Sequence, residues 1–334
     1  MTIKELSGLN GRIEKVRSQE ALAAALLDSI KRKTALEGRE ILVDNYLNAD
    51  TRIALQQACE EHHCQLRSMD YAMFGKAGKA CAFVVSYPNA EGNIEDYSDF
   101  IEDLHKQNLL VAMDCYLPAL ALLKSPGSLG ADFAFGKEEE NYFLVSKEIS
   151  EEAPKEISEE APKEISEKKP KEISEEAPKE ISEEAPKDIS EEASKEIDNQ
   201  NNRKEEEEEE DKDEDLVSIN REKAARVHGM TAYLNDALEV YGYEQENNAF
   251  FNTLKIRIPE EISLPDFQAL AEDYELSYSL CNDEFILLSI NEEDDSESLS
   301  DIIACLAEAA DNFGTPVDEE DWSDICALDG SLLR

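Results

Sequence analysis

Residues 109–136 constrain the fold of this 334-residue chain more than any other stretch. An apolar run at 109–113 ends at Asp114, and a second apolar run, ending at Phe135, follows a glycine- and proline-containing turn at 126–130. Short apolar runs bounded by such turns are typical of buried strands in a largely parallel sheet. Open α/β sheets bind ligands at the carboxyl ends of their strands, which makes Asp114 a candidate site residue.

Helix and strand patterns alternate through most of the remaining sequence. The first part of the chain predicts helices at 21–30, 51–61 and 97–107, and strands at 41–43, around Leu66, at 82–86 and at 142–145. The last part predicts a long helix at 224–241, a strand at 254–258, a helix at 264–274, a hairpin of 276–280 with 285–290, and a helix at 299–313. This order favours an α/β body followed by a small α+β domain.

Six copies of an eight-residue unit, KEISEEAP with some drift, occupy residues 147–194 between these two parts. Proline recurs every eight residues up to Pro186 and prevents a continuous helix, because it lacks a backbone donor and disfavours helix in the residue before it. One isoleucine per unit buries too little apolar area to offset the ordering of the chain. We therefore expect a disordered, extended, acidic insert at 147–215, between a large-domain remnant at 1–146 and a small domain at 216–315. The tail at 316–334, with Trp322, is expected to be peripheral.

The formal net charge of −45 narrows the classes of partner. Such a field repels phosphate backbones and anionic lipid, so we expect neither nucleic-acid binding nor membrane binding; the charge permits basic protein partners, and it also serves solubility. Seven scattered cysteines predict buried free thiols in a reducing compartment. No apolar run approaches the ~18 residues that span a bilayer, and the N-terminal segment has no apolar signal region. A cytoplasmic location is the resulting expectation.

Several motifs resemble the glycine cleavage system P-protein, the pyridoxal-phosphate-dependent glycine dehydrogenase (decarboxylating). The strongest is the strand that ends in Asp114, followed by the Lys124-x-Pro126-Gly127 turn and the segment 129–132. Weaker similarities lie in the strands and loops at 38–44, 50–52, 86–92 and 250–254. The similarity is to the non-catalytic N-terminal half of that protein. It implies a fold-type-I pyridoxal-phosphate transferase-like fold, with an incomplete large domain and a small C-terminal α+β domain.

The resemblance assigns Asp114 to the acid that faces the pyridinium nitrogen, here as a vestigial cofactor residue. In the family's catalytic half a lysine follows a histidine shortly after the strand that corresponds to 132–135. Here that strand continues into Gly136-Lys137 and three glutamates, which would stabilise an ammonium ion rather than a nucleophilic amine. The dipeptide His105-Lys106 falls at the polar end of a predicted helix. We therefore predict no catalytic residue and no cofactor bound by this chain alone, although an aspartate that merely caps a strand-end turn stays an alternative for Asp114.

Two further groups of chemically capable side chains favour structural roles. Cys59 to Cys64, with two histidines between them, offers zinc-ligand types, but the segment spans a helix end and a strand start, so four converging ligands are not expected. No metal site is predicted. His228 lies on a predicted helix and is interpreted as a surface or interface residue.

Two functions fit these observations. The first is a degenerate, non-catalytic P-protein-like subunit that is linked to glycine cleavage and pairs with a catalytic P-protein half or another subunit. The second is an interaction or scaffold protein, in which the α/β body anchors the acidic repeat that recruits partners.

Overall fold

Seven strands form the central sheet of the computed structural model, which describes residues 1–148, 219–318 and 322–334. The strand order is β1-β7-β6-β5-β4-β2-β3. Strands β2 to β6 run parallel, whereas β7 is antiparallel to both of its neighbours. The strands are β1 (Ile13–Val16), β2 (Glu40–Asp44), β3 (Gln65–Met69), β4 (Ala80–Tyr87), β5 (Leu110–Cys115), β6 (Phe133–Glu138) and β7 (Asn141–Ser146). The predicted α/β class, with a largely parallel sheet, is confirmed.

Helices cover both faces of this sheet, which explains why its central strands are apolar without alternation. All eight residues of β4 are buried. Helices α2 and α3 pack on one face of the sheet and α4 packs on the other. The elements are α1 (Ile3–Ser7), α2 (Gln19–Lys33), α3 (Ala49–Glu61) and α4 (Ser98–Lys106), with two single-turn helices, α5 (Leu117–Leu120) and α6 (Pro126–Leu129). The helix and strand positions predicted for this part of the chain are confirmed to within a few residues.

The small C-terminal part folds around a four-stranded antiparallel sheet of order β10-β11-β9-β8. Alternate residues of β9, Leu254 and Ile256, are buried, as expected for a sheet with one covered face. Its elements are α7 (Arg221–Glu239), β8 (Glu244–Gln245), β9 (Thr253–Arg257), α8 (Leu264–Asp273), β10 (Ser279–Leu280), β11 (Phe285–Ser289) and α9 (Ser296–Ala309). The predicted β-α-β-β-α order and its hairpin are confirmed, and the short strand β8 is an addition.

The end of the chain is part of the core, so the prediction of a peripheral Trp322 is wrong. Trp322 lies in a 3₁₀ turn against α7 and is only 2% exposed. Its backbone comes so close to α7 that a Cβ atom at Gly229 would overlap the Trp322 carbonyl oxygen. The small residue at 229 therefore lets the tail pack against the helix.

His228 is buried beneath the same tail, and its interpretation as a surface or interface residue is wrong. The side chain is 1% exposed. Its Nδ1 lies 3.0 Å from the backbone oxygen of Phe251, and its Nε2 accepts the backbone N–H of Ala327 at 3.0 Å. These bonds fix a neutral ring with the proton on Nδ1. Burial lowers the pKa of His228 below its ordinary 6.5.

The acidic repeat leaves the large sheet directly after β7. Glu148, the last described residue before it, is held by Asn10, which accepts the Glu148 backbone N–H and donates to its carboxylate. Ile219 is the first described residue after the repeat, and its carbonyl oxygen accepts a bond from the amino group of Met1. The predicted disordered insert at 147–215 lies outside the described residues except for its first two. None of the helices in the described ranges has the length and apolar character that crossing a membrane requires.

Candidate functional site

Buried polar side chains meet at the carboxyl edge of the large sheet. Asp44 is the last residue of β2, and Ser86 on β4 lies in register with Asp114 on β5. All three side chains are buried. The predicted position of Asp114, at the carboxyl end of a buried strand, is confirmed. Its vestigial cofactor role stays a prediction.

The Asp114 carboxylate is hydrogen-bonded by three side chains of the chain itself. Its Oδ2 accepts from Thr51 Oγ1 at 2.6 Å, from Asn48 Nδ2 at 2.9 Å and from Ser86 Oγ at 3.4 Å. Ser86 Oγ in turn accepts the backbone N–H of Asn48 at 3.1 Å. We call these four residues the Asp114 network. A buried carboxylate needs such donors, and here the protein supplies them without a ligand.

The start of α3 delivers two members of this network. Asn48 is the N-cap residue, yet its side chain makes no capping bond to the helix and turns to Asp114 instead. Thr51 follows in the first turn. Partial positive charge at a helix N-terminus favours a carboxylate nearby. The first turn of α3 therefore stabilises the ionised form of Asp114.

Burial opposes this stabilisation and is the larger effect. Loss of hydration raises the pKa of Asp114 above its ordinary 3.8, while the bonds from Thr51, Asn48 and Ser86 lower it. Asp44 behaves in the same way: burial raises its pKa, and the backbone N–H groups of Tyr71 and Tyr46 act against the rise. Two carboxyl groups with raised pKa values therefore lie at the strand ends.

The N-terminus of α2 adjoins the network and is also occupied by the chain's own groups. Gln19 Nε2 donates to Thr51 Oγ1 at 2.8 Å, and Ser18 Oγ caps the helix by accepting the Ala21 N–H. The exposed Glu20 carboxylate has a lowered pKa because it accepts its own backbone N–H and the Ser18 hydroxyl. The Glu20 carboxylate therefore occupies the position at which a helix N-terminus could bind a phosphate. Its negative charge would also repel a phosphate.

The connection between β6 and β7 is a tight hairpin. Glu138 pairs directly with Asn141, so only Glu139 and Glu140 lie between the strands. Glu139 adopts a left-handed φ of 48°, as such turns require. Lys137 is exposed and pairs with Tyr142 in the ladder. The segment in which the family resemblance places a lysine is therefore a two-residue turn.

The other lysine weighed from the sequence lies at the end of α4. His105 Nε2 is 2.9 Å from Asp132 Oδ2, which also accepts the backbone N–H of Val111. Lys106 points to solvent and pairs with Glu102 and Asp103. Because Val111 lies near the start of β5, whereas Asp114 lies near its end, this dipeptide and the Asp114 network are at different ends of the strand.

A polar groove of about 340 Å³ lies beside the network without including Asp114. Asn48 and Tyr116 line it from the carboxyl edge of the large sheet, and Asn252 and Asn291 line it from the C-terminal part of the chain. Its lining residues carry no formal charge. The groove offers hydrogen bonds to a ligand but no counter-ion for a phosphate or a carboxylate.

Cys59 to Cys64 spans the end of α3 and the start of β3, as predicted. His62 is the C-cap residue and lies 3.7 Å from Asp28, while the exposed His63 takes a left-handed φ of 56°. Within the part of the chain that the structure describes, no three His, Cys, Asp or Glu side chains are grouped so that they could hold a metal ion. The described cysteines are all free, and five of the seven are buried.

Sequence reasoning identified Asp114 but missed the residues that bond it. Asn48 and Thr51 had a usable signal, since both lie where a helix begins directly after a buried strand. Ser86 had the same signal, as a polar residue near the end of an apolar strand. Gln19 had none, because its contact depends on how α2 is placed relative to α3.

Comparison with known proteins relates the sequence to one family and the structure to one fold type. The family profile of the glycine cleavage system P-protein matches residues 3–141. Glycine dehydrogenase (decarboxylating) of Bacteroides thetaiotaomicron is 24% identical over 306 residues, which cover 88% of this chain and 31% of that protein. The mitochondrial enzyme of Solanum tuberosum is 42% identical over 74 residues, 22% of this chain and 7% of that one. The chain is a P-protein-like protein.

Solved structures extend the fold comparison over nearly the whole P-protein-like chain. A crystal structure of glycine decarboxylase (P-protein) in inhibitor-bound form aligns with a TM-score of 0.58 and 18% identity, over 92% of this chain and 73% of that one. A NifS-like protein aligns with a TM-score of 0.54 and 11% identity, over 92% and 84% of the two chains. These neighbours have the fold of type-I pyridoxal-phosphate enzymes, which confirms the predicted fold type. The P-protein-like chain spans about a third of the length of the curated relatives.

The residues at the carboxyl edge do not fit pyridoxal phosphate, the cofactor of this family. A pyridinium nitrogen needs a free carboxylate oxygen, and Oδ2 of Asp114 is already bonded three times within the chain, which leaves only Oδ1. The phosphate needs unpaired N–H groups, whereas the α2 N-terminus next to the network carries Glu20. The segment from which a lysine would come is a two-residue turn.

Proposed function

We propose that this chain is a non-catalytic P-protein-like subunit, which serves glycine cleavage by pairing with a catalytic P-protein half in the cytoplasm. The observation that carries the proposal is the β6–β7 hairpin, in which Glu139 and Glu140 replace the segment that bears the reactive lysine. Glycine decarboxylation in this family depends on a lysine amine that holds the cofactor covalently. A chain without that amine contributes by binding a partner rather than by catalysis.

The Asp114 network supports this role because its hydrogen bonds form without a ligand. Asn48, Thr51 and Ser86 bond the carboxylate that would otherwise face a cofactor ring. A network of this kind preserves the strand ends, and therefore the shape of the large domain, when no cofactor is bound. In this proposal, this chain keeps the fold that a partner subunit needs, and the catalytic half carries out the reaction.

Reductive trapping tests the catalytic part of this proposal. The full chain is incubated with pyridoxal phosphate, reduced with borohydride and mapped by peptide mass spectrometry, with a catalytic P-protein treated in parallel. We expect traces of label spread over exposed lysines here and one fully labelled lysine in the control. A stoichiometric adduct at a single lysine of this chain, Lys137 above all, would refute the non-catalytic role.

Glycine-dependent release of carbon dioxide tests the pairing. The chain alone should release none, and a mixture with a catalytic half and the lipoyl carrier protein should release more than the catalytic half does with the carrier alone. Co-elution of the two chains in size-exclusion chromatography should accompany that gain. Release by the isolated chain, or no complex at concentrations at which the catalytic half is active, contradicts the proposal.

The acidic repeat favours a second candidate, an interaction protein that uses the body as an anchor. Residues 147–215 carry 29 acidic and 12 basic side chains, and the chain enters this segment through Glu148, which Asn10 holds on the body. Such a sequence attracts basic protein surfaces. A deletion of 149–218 joined by a short flexible linker separates the two candidates: the anchor function predicts loss of partners in a pull-down, and the subunit function predicts that the catalytic half is still bound.

A further inference from the structure

A buried thiol pair lies where α3 ends and the chain turns into β3. His63, in the left-handed conformation, donates its N–H to the Glu60 carbonyl oxygen at 3.3 Å, and Cys64 donates its N–H to the Cys59 carbonyl oxygen at 3.0 Å. This pair of bonds around a left-handed residue is the Schellman motif. The two residues joined by its six-residue bond, here Cys59 and Cys64, frequently bring their side chains together in this motif.

The chemistry of the two thiols reflects this contact. The interaction with Cys64 is the largest cause of a raised pKa at Cys59, and the same interaction lowers the pKa of Cys64. The Cys59 S–H therefore donates toward the Cys64 sulfur. Cys59 is fully buried, whereas Cys64 retains 7% of its exposure next to the exposed His63. The thiol with the lowered pKa is therefore the one that keeps some exposure, and its neighbour is fully buried.

A third thiol lies in the same hydrophobic cluster. Glu40 and Ile41 on β2 pair with Ala80 and Ala82 on β4, so Cys81 is the extra residue of a bulge. The bulge places Cys81 and its neighbour Ala82 in the cluster with α3. The Cys81 thiol bonds the Glu40 carbonyl oxygen at 3.6 Å, and burial raises its pKa to about 11. Cys81 is therefore less reactive than Cys64 and is committed to a backbone contact.

We propose that Cys59 and Cys64 form a reversible disulfide, a redox site at the end of α3 that is separate from the Asp114 network. With a peroxide as oxidant, the Cys64 thiolate attacks a peroxide oxygen and takes up a hydroxyl group as sulfenic acid, and one water leaves. The Cys59 sulfur then attacks the Cys64 sulfur and expels a second water, so two thiols and one peroxide give one disulfide and two waters. A dithiol reductant reverses the step by exchange.

The disulfide would act on the rest of the molecule through α3. The same helix carries Asn48 and Thr51 at its other end, where they bond Asp114. A covalent link at the C-terminal end ties α3 to the start of β3 and restricts fraying of its last turn. The site is therefore placed to couple the redox state to the rigidity of the helix that supports the strand ends.

Differential alkylation of the full chain tests this assignment. The reduced protein is treated with hydrogen peroxide, unfolded in the presence of one alkylating reagent, then reduced and labelled with a second reagent for peptide mapping. We expect Cys59 and Cys64 to carry the second label together, with a linked peptide two hydrogens lighter than the reduced pair. Cys81 and the equally buried Cys305 should carry the first label.

Variants keep the test decisive. Cys81→Ser should leave the disulfide intact, and Cys59→Ser should replace it by a sulfenic acid at Cys64 that a dimedone probe captures. Cys305→Ser is the control for a buried cysteine outside the cluster. The proposal is overturned if the Cys59 and Cys64 thiols both take the first label when the exposed Cys326 is fully oxidised. A linked peptide that joins Cys64 to Cys81 would overturn it as well.

Discussion

The Asp114 network and the contacts of His228 are both buried polar sites, but they are built from different partners. Asp114 is bonded by three side chains that the topology brings to one sheet edge. His228 is bonded by two backbone groups, one of which belongs to a residue 99 positions further along the chain. A substitution can remove a side-chain hydrogen-bond partner, whereas a backbone partner is present whichever residue occupies the position. The sheet edge can thus be adapted to a ligand or to its loss, while the His228 site is tied to the fold itself.

Removing Trp322 should have the largest effect on stability, because it takes away the bulk of the tail that covers His228. Trp322→Ala is expected to lower the free energy of unfolding by about 3–5 kcal/mol, the usual cost of deleting a buried aromatic side chain. Chemical denaturation followed by circular dichroism measures this. Phe313→Ala is the control, since Phe313 is 96% exposed, and it should change little. Equal changes in unfolding free energy for the two substitutions would mean that Trp322 is not packed in the core.

Asp114→Ala should have the next largest effect. It leaves the donors of Thr51, Asn48 and Ser86 without their acceptor in a buried site, for which about 2–3 kcal/mol of destabilisation is expected. The same denaturation experiment applies, with the exposed Asp273→Ala as control, expected within about 0.5 kcal/mol of the parent. A stable Asp114→Ala protein would mean that the network contributes nothing to the fold.

His228→Gln should destabilise the protein by about 1–2 kcal/mol at neutral pH, since the flexible amide does not keep both backbone bonds in place. Hydrogen exchange of the Ala327 amide reports the loss directly and should be faster in the variant. His63→Asn, at an exposed left-handed position, is the matched control. Unchanged protection of the Ala327 amide would show that the tail is held without the ring.

The two sites should respond to pH with opposite signs, although the changes are small. The raised pKa of Asp114 means that the folded state binds a proton more tightly, so its contribution to stability falls as pH rises from about 3.8 through the raised value. The lowered pKa of His228 means that its contribution is present above 6.5 and is lost as pH falls through the lowered value.

Comparison of the parent with Asp114→Asn and with His228→Gln across pH isolates each contribution. The difference in unfolding free energy between the parent and Asp114→Asn should decrease with rising pH, and that between the parent and His228→Gln should increase. Slopes of the same sign for both pairs would contradict the opposite pKa shifts of the two groups.

The sequence predicted the sheet better than it predicted the contacts between distant segments. Apolar runs with turns at their ends located β5 and β6, and the end of β5 located Asp114, because these features depend on neighbours along the chain. The burial of Trp322 depends on Gly229, which is 93 residues away and has no local pattern that signals its role. His228 was misjudged for the same reason: a polar residue on a helix is expected to be exposed until its two backbone partners are known.

The candidate site was predicted in part. Asp114 was found from the strand that carries it, and the two-residue β6–β7 turn agrees with the lack of a loop in the sequence after Gly136. Asn48, Thr51 and Ser86 were not found, because hydrogen bonding by short polar side chains depends on their orientation, which a one-dimensional pattern does not contain. The free cysteines were expected to be buried, yet the pairing of Cys59 with Cys64 needed the helix-end geometry.

The β6–β7 hairpin also limits how this chain could change over evolutionary time. Glu138 and Asn141 are already ladder partners, so a lysine introduced at 139 or 140 would stand at the tip of a turn with no spare backbone to carry it over the sheet edge. A reactive amine over this sheet edge would require an insertion of several codons together with a rearranged Asp114 network. Single-nucleotide changes do not provide that combination, so point substitution alone cannot place an amine over this edge.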